Sequence, residues 1–116
     1  MNVLIYNEYR HELNPNDKAA KVYPQGIHAA IADFLGKEPD MNVRTVTLNT
    51  VTEITADALR DTDVLILDEP LANLDEATAE KIEDLLFTVT GKLMLVVSHQ
   101  FTASKLDRFD GVLTMT

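Results

Sequence analysis

The chain of 116 residues contains no cysteine, which excludes a disulfide staple and any thiolate metal site. Glycine is scarce as well: Gly26, Gly36, Gly91 and Gly111 are the only four, and no two are adjacent. No pair of them has the G-x-x-x-x-G-K-[ST] spacing whose backbone N–H groups cradle phosphates, so a phosphate-binding loop of that kind is excluded. No apolar run approaches the roughly 20 residues of a membrane span. Positive charge is also in short supply. Ten Lys+Arg face 19 Asp+Glu for a net charge of −9, which argues against a nucleic-acid or anionic-membrane partner. Residues 1–66 carry 6 basic against 10 acidic side chains and residues 67–116 carry 4 against 9, so the acidity reads as a solvated surface, not a tail. The opening Met1-Asn2-Val3-Leu4-Ile5-Tyr6 lacks the basic n-region of a signal peptide. A cytoplasmic location without a targeting signal is the expectation.

What is present is an alternation of short apolar runs with segments of helical period. Val3–Tyr6, Val43–Leu48, Val64–Leu67, Leu93–Val97 and Val112–Met115 read as five strands. The third and fourth are continuous apolar runs, as expected of strands covered on both faces. Pro24 suits a first helical position, followed by Ile27, Ala30, Ile31 and Phe34 at helical spacing. A short helix is expected from Thr55 to Arg60, and a longer one from about Asp75 to Thr90, capped by Asp75 or Asn73 and stopped by Gly91. One or two further turns are expected between Thr102 and Phe109. Ile27, Ile31, Phe34, Ile82, Leu85, Leu86 and Leu106 form the expected helix-borne core. With 46% hydrophobic residues and no long linker, the series predicts one α/β domain over residues 1–116: a doubly wound, mostly parallel five-stranded sheet.

In open α/β sheets, ligands bind beyond the carboxyl ends of the strands. Here those ends are polar. The first strand runs into Asn7-Glu8-Tyr9-Arg10-His11-Glu12, the third into Asp68-Glu69-Pro70, and the fourth into Ser98-His99-Gln100. An apolar strand followed by two acids suits Mg²⁺ chemistry: one carboxylate holds the ion or its water shell and the second orients a water. Glu8, Asp68 and Glu69 together form a candidate divalent-cation site, and Glu8, Arg10 and His11 a candidate edge for a carboxylate or sugar-like ligand. Polar residues are also what any chain needs where a strand surfaces, so the arrangement is equally compatible with simple solvation. His11, His28 and His99 carry no zinc-ligand spacing.

Two resemblances meet in the third strand. The segment Leu65-Ile66-Leu67-Asp68-Glu69-Pro70-Leu71-Ala72-Asn73-Leu74-Asp75, the helix after it, and Leu95-Val96-Val97-Ser98-His99-Gln100 resemble the Walker B, D-loop and switch-histidine region of ABC-transporter nucleotide-binding domains. The resemblance covers roughly residues 64–116. It implies Asp68 as the Mg²⁺ support, Glu69 as general base, Asp75 as the D-loop acid, His99 as γ-phosphate sensor and Gln100 beside the nucleotide. No LSGGQ signature accompanies these elements. The segments Tyr6-Asn7-Glu8-Tyr9-Arg10-His11-Glu12 and Tyr23-Pro24-Gln25-Gly26-Ile27-His28 resemble the start of trehalose-utilisation (ThuA-like) proteins, which have a flavodoxin-like core. That likeness runs to about residue 66 and implies Glu8, Arg10, His11 and His28 as polar site residues.

A change of family inside one buried strand, near residues 63–67, predicts a designed or recombined chimera with no native biochemical function and no cofactor, and leaves open whether the ATPase motif remnants retain any activity. The alternatives are an ABC-type ATP-binding or ATPase fragment that uses Mg-ATP, and a small-molecule binding module of the amidotransferase-like class. The first resemblance implies that the fourth strand lies between the first and third. The second implies the flavodoxin-like order 2-1-3-4-5, which is the favoured expectation. No partner is expected beyond a homodimer through an open sheet edge.

Overall fold

The structure, a computed structural model, describes residues 1–98, 101 and 103–113, with the backbone alone for Ala103 and Ser104. Four strands, β1 (Asn2–Asn7), β2 (Asn42–Thr47), β3 (Val64–Asp68) and β4 (Leu93–Val97), form one parallel sheet in the order β2-β1-β3-β4. Between them run α1 (Lys18–Val22), α2 (Ile27–Leu35), α3 (Ala56–Arg60) and α4 (Glu76–Thr88), and α5 (Ala103–Leu106) follows β4. Short 3₁₀ turns occupy His11–Leu13 and Leu48–Glu53.

Strand register divides the sheet into two faces. Leu4 and Tyr6 of β1 are level with Leu65 and Leu67 of β3, which are level with Met94 and Val96 of β4. These side chains meet Leu59 of α3 and Ile82 and Leu86 of α4 in the main core. On the other face, Val3, Ile5 and Asn7 align with Val64, Ile66 and Asp68, and these with Leu93, Leu95 and Val97. There His28 of α2 reaches Asn7. Helices therefore lie on both sides of the sheet.

Local signals explain most boundaries. The Asp75 side chain accepts from Thr78 N at 3.1 Å and caps α4, and the Thr55 hydroxyl accepts from Ala58 N at 3.1 Å and caps α3. Asp17 caps α1, a short helix with no apolar stripe to announce it.

Several expectations are corrected. Pro24 is not a first helical position. Tyr23 O accepts from Gly26 N at 2.9 Å in a tight turn, and α2 starts after Gly26, whose φ of 95° only glycine adopts easily. Phe34, expected in the core, is 70% exposed. β4 is not covered on both faces: Leu93, Leu95 and Val97 are 69%, 60% and 54% exposed. The reason is the path of the segment after β4. Phe101 and Phe109 pack edge-to-face on Phe87 of α4, Arg108 lies over the same ring, and Lys105 pairs with Glu83 at 2.7 Å. The segment is thereby held against α4, leaving the second face of β4 open. The fourth strand does not lie between the first and third, because β3 pairs with β1 directly. Val112 and Leu113, expected to open a fifth strand, are exposed and outside any strand, and Thr114 and Met115 lie outside the described residues.

Candidate functional site

β1 and β3 end side by side, with Asn7 and Asp68 as register partners. The chain therefore brings two of the three polar strand ends together. The end of β4 stands beside them, with Val97 the register partner of Asp68, while His99 and Gln100 lie outside the described residues.

At the end of β1 the polar groups satisfy one another. Asn7 Nδ2 donates to Glu12 Oε2 at 2.5 Å and stands 3.1 Å from His28 Nδ1, while Asn7 Oδ1 accepts from Tyr9 N at 3.2 Å. Glu12 Oε2 also accepts from Ile27 N at 3.0 Å. Burial pushes the Glu12 carboxyl up, but the bonds from Ile27 and Asn7 outweigh it and hold it below the ordinary carboxylate range. Burial pushes the His28 imidazole down, against the pull of Glu12. The His28 ring meets Tyr9 edge-on at 4.8 Å between centroids. Glu8, just past β1, is buried and accepts from Asn73 Nδ2 at 2.7 Å. Asn73 follows β3 in sequence, so this bond ties the ends of the two strands together.

Two of the four residues implied by the first-half resemblance are thus held in structural bonds. The other two, Arg10 and His11, face solvent. His11 pairs with Asp17 at 3.1 Å, and that hydrogen bond raises its imidazole. Sequence offered Asn73 only as a helix cap, and Asn7 and Glu12 only as members of a polar strand end, with none of these three as a site residue. Their partners are 5, 21 and 65 residues away, and no spacing rule links them.

The end of β3 is different. Burial raises the Asp68 carboxyl, and the charges of Glu69, Glu12 and Glu8 raise it further. Glu69 has φ 50° and Asn73 φ 60°, so the loop leaves β3 through two left-handed residues, the first of a type that rarely adopts that region. Glu69 N donates to Val97 O at 2.7 Å, anchoring the loop to β4. Asp75 caps α4, and its bonds from Thr78 hold its carboxyl low.

Tyr6 adds one anomaly. Its side chain is fully buried, its hydroxyl meets no partner among the described residues, and burial together with Glu8 pushes its pKa up to about 12. Among the described residues no group of three or more His, Asp or Glu is placed to hold a metal ion alone. Two surface grooves lie elsewhere, one of about 410 Å³ along α4 and one of about 330 Å³ between α3 and Lys92.

No protein-family model matches the chain, and no solved structure matches it. Curated proteins do. A 57-residue stretch is 47% identical to the Mesentericin-Y105 transport/processing ATP-binding protein MesD of Leuconostoc mesenteroides, covering 49% of this chain and 8% of that protein. A putative ABC transporter ATP-binding protein of Staphylococcus aureus (strain COL) is 47% identical over 55 residues, 45% of this chain and 10% of its own length. The uncharacterized ABC transporter ATP-binding protein YbbA of Escherichia coli (strain K12) is 44% identical over 50 residues, 40% of this chain and 22% of its own. The chain spans less than a quarter of the length of these relatives. Just under half of it is similar to ABC-transporter ATP-binding proteins. No helix among the described residues is long and apolar enough to cross a membrane.

Proposed function

We propose that the chain carries the metal-side half of an ABC-type ATP site, with Asp68 and Glu69 at the end of β3 as its working groups. The observation that supports this best is the desolvated Asp68 carboxyl, raised by burial and by three neighbouring acids. Such a group gains from a nearby cation. The donor set suits Mg²⁺ bound to a nucleotide better than a free ion. Mg²⁺ keeps several waters and is held by one or two carboxylates plus substrate phosphates, not by a cage of protein ligands. Asp68 would hold the ion or its water shell, and Glu69 would orient a water. When bound, the ion would neutralise phosphate charge.

These 116 residues supply no phosphate cradle, so their own affinity for Mg-ATP is weak and the loop must come from outside them. Thermal melting tests this. Mg-ATP at 5–10 mM, a range set by the weak affinity expected, should raise the melting temperature of the native chain by several degrees. ATP with a chelator should not, and Asp68→Asn should abolish the shift. No shift with Mg-ATP sinks the proposal.

A second reading, a composite of a flavodoxin-like first half and an ABC-type segment without function of its own, is favoured by one observation. β4 lies outside β3, not between β1 and β3 as the ABC resemblance implies. On that reading the melt is cooperative and unmoved by nucleotide.

A further inference from the structure

The geometry points to an acid-sensitive latch at His28: protonation of its imidazole releases the segment between β1 and α2 from the sheet. The argument starts from the Asn7 amide, both ends of which are fixed by partners of known polarity. Tyr9 N–H can only donate, so Asn7 Oδ1 is the atom it meets at 3.2 Å. The Glu12 carboxylate can only accept, so Asn7 Nδ2 is the atom it meets at 2.5 Å. The same Nδ2 stands 3.1 Å from His28 Nδ1. Nδ1 must therefore be an acceptor, which makes His28 a neutral imidazole with its proton on Nε2.

A second proton would set N–H against N–H. Turning the amide over does not help, because Asn7 Oδ1 would then face a carboxylate and its NH₂ would face the Tyr9 N–H. The ring has little room to retreat. It lies against Tyr9, and Gly26 packs so closely that a Cβ there would stand 2.6 Å from Nδ1. The charged group facing the ring is the Glu12 carboxylate, from the turn after β1. β1 and its loop contribute the neutral Asn7 and Tyr9, and the start of α2 contributes the backbone of Gly26 and Ile27. Glu12 favours the imidazolium, but it already accepts two hydrogen bonds and burial prevails.

The folded chain thus binds the His28 proton less readily than the unfolded chain. The stability held at this site is complete above the unfolded imidazole value of about 6.5, and it is lost as pH falls below that toward the lowered folded value. The loss should stay local. α1 buries no residue, and in the 3₁₀ turn before it Glu12 alone is buried, so beyond Glu8, which Asn73 holds next to the strand end, Glu12's bonds to Asn7 and Ile27 are the main fastening of the segment. Release would carry Arg10 and His11 away from the strand ends.

This inference does not depend on nucleotide binding. It is tested by ¹⁵N-histidine NMR with amide hydrogen exchange from pH 8 to 4.5. His28 should be the Nε2–H tautomer at pH 7.5 and titrate below an ordinary histidine. In step with it, the Tyr9 and Ile27 amides should lose protection about tenfold relative to amides of β3. His28→Asn, which places an amide oxygen near the position of Nδ1 and cannot titrate, should keep both amides protected over that range. A proton on Nδ1 at pH 7.5, or amide loss unconnected with the His28 titration, overturns the latch. Equal loss in His28→Asn does so as well. If that variant fails to fold, the tautomer and the shared titration in the native chain decide the matter.

Discussion

β1 and β3 are hydrogen-bonded neighbours that end level, Asn7 beside Asp68, yet their carboxyl ends are built on opposite plans. At the end of β1, beyond the buried Tyr6 hydroxyl that meets no partner among the described residues, the polar groups meet complements: the Asn7 amide, the Glu12 carboxylate, the Ile27 N–H and the His28 ring close on one another. At β3 a half-buried carboxylate faces three more acids and is pushed toward protonation. Stability and binding make different demands. A satisfied cluster fastens a loop and has little left to offer a ligand, whereas an electrostatically strained carboxylate gains when a cation arrives. The contrast is between a satisfied end at β1 and an electrostatically strained one at β3.

The most direct way to break the first end is Gly26→Ala. A Cβ at φ 95° is strained on its own account, and it would also stand 2.6 Å from His28 Nδ1 and 2.8 Å from Tyr9 Cε2. Both rings are pinned, so relief requires moving the cluster. The expected cost is about 3 kcal/mol, read as a lowered urea midpoint with an unchanged slope. A change below about 1 kcal/mol would show that the cluster is loose and the contrast false.

Asn73→Ala probes the link between the two ends. It removes the bond to the buried Glu8 carboxylate and places alanine at φ 60°. The expected loss is about 2 kcal/mol, of which the hydrogen bond accounts for the larger share. Asn73→Gly separates the two contributions. It frees the backbone, so it should cost roughly 1 kcal/mol less than alanine in the same urea experiment.

Some of this was legible in the sequence, for physical reasons. The four strands and α4 are written in periodicity, and the Asp75 and Thr55 caps in the residue types that accept from a first turn. The open face of β4 was not legible. Leu93-Met94-Leu95-Val96-Val97 reads the same whether or not anything covers it, and what leaves it open is a distant set of contacts at Phe87, Phe101 and Phe109. The start of α2 was misread because Pro24 fits a helix start as well as the Tyr23–Gly26 turn that claims it. At the candidate site, Asp68 and Glu69 announce themselves as paired acids after an apolar run. The Asn7–Glu12–His28 cluster is assembled by tertiary folding alone. Sequence therefore pointed to Glu8 and His28 without showing that Glu8 accepts from Asn73 or that His28 stands against Asn7.

The smallest expected effect sharpens the comparison most, because the two ends respond to acid with opposite sign. Glu12 is held below the ordinary carboxylate range and His28 below the ordinary imidazole value, so both contribute stability that is present at higher pH and lost on acidification. Asp68 is raised. Between its unfolded value near 3.9 and its higher folded value the native state holds the proton more tightly, so its contribution is lost as pH rises through that window. Because Asp68 is only partly buried, solvent screening keeps this opposing contribution to a fraction of about 1 kcal/mol. Asp68→Asn removes it. The variant should match the native chain at about pH 4 and exceed it slightly at pH 7, giving a steeper rise of stability with pH. Urea midpoints across that range supply the measurement. If the two profiles superimpose, the acids around Asp68 do not repel it, and the end of β3 is as well satisfied as the end of β1.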